Sequence, residues 1–196
     1  MPPLTIRPAS LSRGDADLFL DFWDSQIAWL ANNGGADQWG TVPIRTARPE
    51  AIDKVLSWIT RSETGTSWGP EWRRAFVAEV ADENDERTPV ASISLQSTPA
   101  KYVTDYLAED DEPYVYVIWL MTNRDAGEAA KGVGGALIEY AKGVCREVGV
   151  RRMCLDCYRG NDRKLVKYYE KQGFTIVKDF TAGEKEWPGS VMEMRV

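Results

Sequence analysis

The sequence has no histidine among its 196 residues. Histidine is the general base or metal ligand of Ser-His-Asp sites, of Cys-His sites and of most catalytic zinc sites, because its charge changes near neutral pH. Its absence excludes each of these sites. Any proton transfer by this chain must therefore use other side chains, such as carboxylates and tyrosines.

Cysteine is scarce, and the three that are present show no disulfide spacing. An odd number of such cysteines is typical of reduced thiols and favours a cytoplasmic protein. Cys154 and Cys157 form a C-x-x-C pair, but residues three apart on a strand face opposite sides of a sheet. Since no second pair completes a tetrahedral site, we expect packed thiols and no bound metal.

Long hydrophobic segments are also missing. The longest uncharged apolar run covers residues 114–121, whereas a membrane-spanning helix needs roughly 20 apolar residues. The first residues, Met-Pro-Pro-Leu, lack the basic and apolar regions of a secretory signal. We therefore expect a cytoplasmic protein without a membrane partner.

Basic residues are fewer than acidic ones, 24 against 30, which gives a net charge of −6. Nucleic-acid binding needs clustered Lys and Arg, so no nucleic-acid partner is expected. Residues 1–113 hold 10 basic and 19 acidic side chains, a net of −9, and residues 114–196 hold 14 and 11, a net of +3. This asymmetry is compatible with an anionic ligand on the C-terminal half and a cationic one near the N-terminal half, or with an uneven solvated surface alone.

The composition is that of a globular domain, with 43% hydrophobic and 28% charged residues. Neither a repeat nor an interdomain linker is present, so we expect a single domain over residues 1–196. Periodicity predicts strands at residues 4–7, 75–80, 90–95, 114–121, 153–158, 174–178 and 191–195, and helices at 19–30, 49–59, 133–148 and 162–172. The second and third strands form a predicted hairpin, and the strands around helix 133–148 should be parallel.

A glycine-rich stretch, Lys131-Gly132-Val133-Gly134-Gly135, lies between a predicted buried strand and a predicted helix. Glycines let the backbone approach a ligand closely, and the amides in the first turn of a helix have no partner inside the helix. Together with the helix dipole these amides form a site for a pyrophosphate, and Lys131 adds positive charge. Taken alone, the stretch also fits an ordinary tight turn.

A second motif covers residues 161–174, where Asn161 precedes a predicted helix, Tyr169 lies within it, and Glu-Lys-x-Gly-Phe ends the segment. This segment resembles the second signature of the GNAT superfamily of N-acetyltransferases. The glycine-rich stretch resembles the acetyl-CoA pyrophosphate loop of the same superfamily. The resemblance implies an α/β fold of the α+β type, with a mixed, mostly antiparallel sheet, a central parallel strand pair and helices on both faces.

The resemblance is close over residues 114–180, which it identifies as the acetyl-CoA-binding core, while residues 1–113 are mainly the acceptor side. It implies an acyl-CoA-dependent N-acetyltransferase with acetyl-CoA as cosubstrate and without a metal. In the superfamily the pantetheine arm lies along the strand before the glycine loop. The cofactor contacts carried over to this sequence are Leu120, Met121, Thr122, Ala129, Lys131, Gly132, Val133, Gly134, Gly135 and Asn161.

Two of these positions leave alternatives open. Ala129 stands where the superfamily usually has Gln or Arg, so one side-chain contact to the pyrophosphate is missing, with Lys131 or Arg124 as its substitute. The backbone amides still bind the phosphates, because they do not depend on side-chain identity. Asn161 meets the pantetheine arm by resemblance, but Asn is also among the best helix N-caps.

For the chemical step, the resemblance implies Tyr169 as the catalytic acid that protonates the departing CoA thiolate. A neutral tyrosine, with a pKa of about 10, can donate such a proton at neutral pH. Tyr169 is alternatively a packed aromatic residue with a satisfied hydroxyl. For the general base, a carboxylate acting through water, the candidates are Glu79 and Asp156, and Asp156 is alternatively a buried acid satisfied by hydrogen bonds.

The acceptor site is expected around Asp37 and Trp39, which lie between the first two long helices. Trp68, Trp72 and the acidic loop of residues 105–112 could also contribute, through aromatic stacking and attraction of an ammonium group. The tryptophans are alternatively anchors that hold loops on the core.

The sequence therefore favours transfer of an acetyl group to a primary amine of a small, cationic molecule, by direct attack in a ternary complex. If the protein forms an oligomer, we expect a homodimer. A protein amine as acceptor and a non-catalytic acyl-CoA-binding sensor are the alternatives. A dinucleotide-dependent oxidoreductase is disfavoured, because its glycine fingerprint would follow an early strand.

Overall fold

The computed structural model describes residues 3–65, 67–107, 111–183 and 186–196. Glu109 and Asp110 of the acidic loop lie outside the described residues. The strands are β1 (Leu4–Pro8), β2 (Arg73–Ala81), β3 (Arg87–Gln96), β4 (Val115–Thr122), β5 (Arg152–Tyr158), β6 (Thr175–Ala182) and β7 (Trp187–Arg195). The α-helices are α1 (Asp15–Asn32), α2 (Ala36–Trp39), α3 (Ile44–Ala47), α4 (Glu50–Glu63), α5 (Thr104–Leu107), α6 (Val133–Glu147) and α7 (Gly160–Lys171).

Every strand and long helix predicted from periodicity is confirmed, with boundaries that differ by a few residues. The apolar residues that recur at helical spacing in α1 are all buried, and they are Phe19, Phe22, Trp23, Ile27 and Leu30. The short helices α2, α3 and α5 were not predicted, because one turn of helix is too short to show a period.

The seven strands form one sheet in the order β1-β2-β3-β4-β5-β7-β6. β4 and β5 are parallel, and the other neighbouring pairs are antiparallel. The predicted hairpin β2–β3 and the predicted parallel pair are both confirmed. The fold class implied by the resemblance is confirmed with them, since helices cover both faces of this mixed sheet.

The parallel pair is short. Residues 115–117 of β4 pair with residues 153–155 of β5, and pairing stops there although both strands continue. Backbone N–H and C=O groups need partners when they are buried. The divergence therefore leaves the side of β4 that faces β5 available to a ligand over residues 118–122.

A bulge lies where the two strands part. Ser94 and Leu95 are adjacent on β3, but they pair with Trp119 and Val117 of β4, which leaves Ile118 as the extra residue. The extra residue turns the strand, as bulges do. As a result, Val117 packs in the core beneath α6, whereas Trp119 packs against α1 and α4 on the other face.

The faces of the sheet have separate hydrophobic cores. α6 and α7 cover one face, and α1 and α4 cover the other. Cys154 and Cys157 are buried and belong to cores on opposite faces, as their spacing predicts. Within the described ranges no group of acidic and cysteine residues is arranged to hold a metal ion. None of the helices described is both long and apolar enough to cross a bilayer.

Leu137→Ala in α6 should lower the free energy of unfolding by about 3 kcal/mol. Leu137 is fully buried between α6 and the sheet, so its truncation leaves a cavity. Leu56→Ala in α4 is the control, because Leu56 is 38% exposed, and it should cost less than about 1 kcal/mol. Urea denaturation followed by circular dichroism measures both variants. Equal losses would contradict the position of α6 on the sheet.

Candidate active site

A cleft of about 510 Å³ opens beside the diverging end of β4. Its walls come from β4, from the start of α6, from α7 and from the α1–α2 segment. Each of these segments contributes residues that the sequence analysis named as candidates. The candidates that line the cleft are Trp39, Leu120, Met121, Thr122, Lys131, Gly132, Gly134, Gly135, Asn161 and Tyr169. The fold thus brings four distant parts of the chain to one site.

The start of α6 has the backbone features of an anion-binding site. Gly132 precedes the helix with a φ of +78°, a conformation that side chains rarely adopt. The amides of Val133, Gly134 and Gly135 have no partner within the helix, and the first turn carries no acidic residue. A Cβ atom at Gly134 would lie 2.7 Å from the Tyr168 hydroxyl oxygen. The close packing at this turn therefore depends on glycine, and its amides can bind a diphosphate.

Arg124 is the cation best placed beside this turn. Its guanidinium lies 4.0 Å from the centre of the Trp29 ring, and its Nε donates a hydrogen bond to Gln26 Oε1 at 2.7 Å. Partial burial lowers the pKa of Arg124, and the residue stays exposed enough to meet an anion in the cleft. Lys131 is largely exposed and forms a surface ion pair. Arg124 and Lys131 both line the cleft, so both stay candidates to replace the side chain missing at Ala129.

Two of the expected cofactor contacts do not line the cleft. The side chains of Ala129 and Val133 pack against the core beneath α6. Val133 can therefore offer only its backbone amide to a ligand. The methyl group of Ala129 has no hydrogen-bonding atom, so the contact that the sequence indicated as missing has no side-chain replacement at this position.

Asn161 lines the cleft from a turn with unusual backbone geometry. Asn161, Asp162 and Arg163 have φ angles of +52°, +55° and +58°, and non-glycine residues in this region cost roughly 1 kcal/mol or more each. The Asp179 carboxylate supports the turn, because it accepts hydrogen bonds from Arg163 at 2.9 and 3.1 Å and from Ser190 at 2.6 Å. Arg159 is the residue that precedes α7, and Asn161 lies inside the bounds of the helix, so Asn161 does not hold the N-cap position.

Tyr169 lies on the wall formed by α7. Its ring is 8% exposed and packs edge-on against Tyr168 and Phe174, with centroid distances of 5.2 and 5.7 Å. Burial raises the pKa of Tyr169 well above its ordinary value, and the negative charge of Asp156 adds to the effect. The hydroxyl is therefore protonated at neutral pH and can act as a proton donor. Tyr158 and Tyr168 also line the cleft.

Asp156 does not line the cleft, and it lies on β5 immediately after the last residue that pairs with β4. Its Oδ2 accepts a hydrogen bond from the Tyr102 hydroxyl at 3.0 Å, and its Oδ1 accepts one from the Tyr116 hydroxyl. Burial raises the pKa of Asp156, although both hydroxyl donors and the charge of Lys54 oppose the change. A carboxylate with a raised pKa is a stronger base near neutral pH. The hydrogen bonds expected of a buried acid are present, and they leave this basicity in place.

Glu79 does not line the cleft. It lies on β2 opposite Thr5 of the edge strand β1, and its Oε1 accepts a hydrogen bond from Arg7 Nε at 2.7 Å. Arg7 also donates to both carboxylate oxygens of the buried Asp15, at 2.6 and 3.0 Å. This ion-pair network gives Glu79 a structural role and does not support the role of general base considered for it.

Of the two residues expected at the acceptor site, Trp39 lines the cleft and Asp37 does not. Asp37 is exposed on α2, while the Trp39 ring packs edge-on against Trp23 with a centroid distance of 5.8 Å. Trp72 is 1% exposed, and its ring centroid lies 5.0 Å from that of Trp68. Trp68 and Trp72 therefore fit the alternative in which the tryptophans hold loops on the core.

The described part of the acidic loop lies elsewhere. Asp111 and Glu112 border a second cavity of about 380 Å³ together with Trp68, beside the residues that precede β4. This is the opposite end of β4 from the glycine-rich turn. Its position does not support a contact between these acids and an acceptor in the cleft.

Sequence reasoning missed the wall that α1 contributes. Gln26, Trp29 and Leu30 line the cleft, and their i, i+3, i+4 spacing places them on one side of the helix. The helical period could have identified this side, but Gln26 and Trp29 were not part of the apolar stripe. Lys164 on α7 and Gln172, which follows its last residue, also line the cleft.

Comparison with known proteins was made for sequence and for structure. A family model described as the acetyltransferase (GNAT) family matches residues 49–174. The match covers more than half of the chain and includes the glycine-rich turn, Asn161 and Tyr169. No curated protein sequence matches the chain.

Several solved structures share the fold. PaiA N-acetyltransferase from Thermoplasma acidophilum, in complex with coenzyme A, aligns with a TM-score of 0.63 and 16% identity over 99% of each chain. A phosphinothricin acetyltransferase from Sinorhizobium meliloti, in complex with acetyl-CoA, aligns with a TM-score of 0.62 and 16% identity, covering 98% of this chain and 88% of that chain. An N-acetyltransferase from Staphylococcus aureus aligns with a TM-score of 0.62 and 15% identity over 98% of each chain. At these identities the likeness establishes a common fold.

Glu79→Gln should lower the free energy of unfolding by about 2 kcal/mol, because Arg7 loses a charged hydrogen-bond partner in a largely buried network. Urea denaturation at neutral pH measures the change. Glu83→Gln in the exposed turn between β2 and β3 is the control and should leave stability unchanged. If the two variants are equally stable, the network does not hold β1 to the sheet.

Proposed function

This chain belongs to the acetyltransferase (GNAT) family, and we propose that it transfers the acetyl group of acetyl-CoA to a primary amine of a small molecule by direct attack in a ternary complex. One observation carries the proposal. The start of α6 with its free amides, the unpaired side of β4 and Tyr169 border a single cleft.

Acetyl-CoA supplies the acetyl group and a thiolate leaving group. The amides at the start of α6 and the guanidinium of Arg124 would hold its diphosphate. The unpaired side of β4 offers backbone groups to the amides of the pantetheine arm, and Leu120, Met121 and Thr122 lie along this side. Asn161 faces the same cleft from the start of α7.

The bulge at Ile118 gives the reaction site its backbone donors. N–H groups of β4 that have no partner on β5 can donate to the oxygen of a carbonyl group under attack. Such preorganised donors stabilise the negative charge that develops there. Tyr169 then donates its hydroxyl proton to the departing sulfur. The raised pKa of Tyr169 keeps this proton on the hydroxyl at neutral pH.

Asp156 acts as the general base through a water molecule. An amine that is protonated at neutral pH must lose a proton before it attacks, and Asp156 is a carboxylate of raised pKa where β4 and β5 diverge. Its charge contributes to the raised pKa of Tyr169, so the two groups lie within electrostatic reach of each other. The negative charge of Asp156 also favours an ammonium group at this position.

Direct attack agrees with the state of the cysteines. Burial raises the pKa of Cys145 and of Cys157 to about 12, which keeps both as thiols at neutral pH. A thiol is a poor nucleophile compared with a thiolate. Since the chain has no histidine to activate a thiol or hydroxyl, direct attack is favoured over an acyl-enzyme.

Gly134→Ala should weaken acetyl-CoA binding by about tenfold, equivalent to about 1.4 kcal/mol, because its Cβ would displace Tyr168 from the start of α6. Gly143→Ala is the matched control, since a Cβ there meets no atom within 4 Å in the same helix. It should leave binding unchanged and stabilise the protein by about 0.5 kcal/mol. Isothermal titration calorimetry measures the affinities, and equal affinities would remove the start of α6 from the binding site.

Tyr169→Phe should lower kcat by at least about a hundredfold and leave the affinity for acetyl-CoA within a factor of about two, because only the proton donor is removed. Tyr168→Phe is the control for loss of a hydroxyl in the same cleft, and its kcat should change little. Thiol release in the presence of an amine panel measures turnover. Normal turnover by Tyr169→Phe would exclude it as the acid, and coenzyme binding without turnover of any amine would identify a sensor.

The dependence of kcat/KM on pH should show a limb that rises as Asp156 loses its proton. Because burial raises the pKa of this carboxyl, the limb should lie above the usual carboxyl range. Asp156→Asn should remove this limb and lower kcat, whereas Asp37→Asn, at an exposed position outside the cleft, should change neither. An unchanged limb in Asp156→Asn would assign the base to another group.

A further inference from the structure

Positive charge accumulates on the face of the sheet that α1 and α4 cover. Arg73 is the first residue of β2, and its neighbour across the sheet is Gln96 of β3, which in turn pairs with Tyr116 of β4. Asp156 accepts a hydrogen bond from Tyr116 on the same side. Lys54 reaches this row of polar side chains from α4.

Arg73 is a buried cation with an incomplete set of partners. It is 9% exposed, and its Nη2 donates a hydrogen bond to Gln96 Oε1. Its buried Nη1 has no hydrogen-bond partner, and no acid among the described residues forms an ion pair with Arg73. Burial and the charge of Arg61 lower the pKa of Arg73 to about 10. A buried guanidinium with a free N–H group is a binding group for an anion.

Lys54 doubles the positive charge at the same place. The Lys54 Nζ and the Arg73 Cζ lie 5.4 and 5.5 Å from the centre of the Trp58 ring. Burial lowers the pKa of Lys54, the charge of Arg73 lowers it further, and the charge of Asp156 opposes the change. Two cations share one indole ring without an ion-pair partner in the described part of the chain. An anion bound between them would relieve their repulsion.

Other polar atoms on this face also lack partners. Five buried side-chain nitrogen or oxygen atoms in the described residues have no hydrogen bond, and Ser94 Oγ and Trp23 Nε1 are among them, beside Arg73 Nη1. Ser94 is a diagonal neighbour of Arg73 in the sheet, and Trp23 packs with Trp119 on the same face. Buried polar groups are nearly always hydrogen-bonded, so unpaired ones that cluster on one face indicate a polar ligand there.

The two charges of opposite sign are spaced for one small molecule. β2 and β5 are separated by three strand intervals, which corresponds to about 14 Å between their backbones. The side chains of Arg73 and Asp156 lie on the same face, and the charges of both affect the pKa of Lys54. Gln96 and Tyr116 lie between the two charges, and they form hydrogen bonds with Arg73 and Asp156 respectively. An acceptor that meets both charges would follow this row, with its amine and its anionic group a few bonds apart.

We infer that the acceptor is an amino acid whose carboxylate binds Arg73 and Lys54 while its amino group faces Asp156. This inference rests on the proposed acetyl transfer and specifies its substrate class. It replaces the cationic acceptor expected from the acidic N-terminal half with a zwitterion, because the charges of that half beside Trp58 are those of the buried Arg73 and the exposed Lys54, and both are positive. Arg73 is a specificity residue here and takes no part in the proton transfers.

The first experiment compares matched acceptors. Each standard L-amino acid is offered with acetyl-CoA beside the amine that lacks its α-carboxylate, for example L-phenylalanine with phenethylamine, and thiol release is followed. For the best substrate, kcat/KM should be at least tenfold higher for the amino acid than for its decarboxylated counterpart. Equal or better turnover of the decarboxylated amines would overturn the inference and leave the proposed acetyl transfer intact.

The second experiment uses Arg73→Met, which keeps the length of the side chain over Trp58 and removes the charge. Its KM for the amino acid should rise at least tenfold with kcat within threefold, and its KM for the decarboxylated amine should not change. Arg74→Met is the matched control, because Arg74 is the next residue on β2 and packs on Trp72 on the opposite face. An unchanged KM in Arg73→Met would overturn the inference.

A binding measurement separates this inference from the proposed function. Thermal unfolding with coenzyme A present should show that the amino acid stabilises the wild-type protein and Arg74→Met, but not Arg73→Met. Stabilisation of all three proteins by coenzyme A alone shows that the variants are folded. If amino acids stabilise in this pattern and no amine is acetylated, the acetyl transfer fails and the anion site stands. If they stabilise none of the proteins, the anion site is excluded.

Discussion

The early divergence of β4 and β5 is the constraint on which the site depends. If the parallel pairing continued beyond residues 115–117, the backbone of both strands would be satisfied and the sheet would be closed at this point. The bulge at Ile118 and the loss of pairing open the sheet instead. Tyr169 lies on the face covered by α6 and α7, whereas the Asp156 carboxylate is held on the other face, and the charge of Asp156 contributes to the raised pKa of Tyr169.

The distribution of charge follows the same opening. The protein is acidic overall, with a net charge of −6, yet cations lie at both ends of the proposed reaction path. Arg124 lies near the start of α6, and Lys54 and Arg73 lie on the other face. Net charge therefore says little about the ligands of this chain, because binding depends on the few charges that burial has deprived of water.

Much of this site was open to prediction, for reasons that differ between residues. Gly132 and Gly134 could be identified because a left-handed turn and close packing both require glycine. Tyr169 could be identified because its motif keeps a fixed spacing on one helix. Glu79 and Asp156 are indistinguishable in sequence, since each is an acid within a strand. Only the neighbours decide between them, and these are Arg7 for Glu79 and two tyrosines for Asp156.

By itself, the sequence determined the order of strands and long helices, the family and the exclusion of histidine chemistry, because these depend on periodicity, local motifs and composition. Tertiary structure alone decided which polar side chains are buried and which of them lack partners. Arg73 illustrates the difference, because in sequence it is one of two adjacent arginines, Arg73 and Arg74, at the start of a strand. The pleat of β2 places these two on opposite faces. Only the packing of α4 and Trp58 over one face turns Arg73 into a buried, incompletely paired cation.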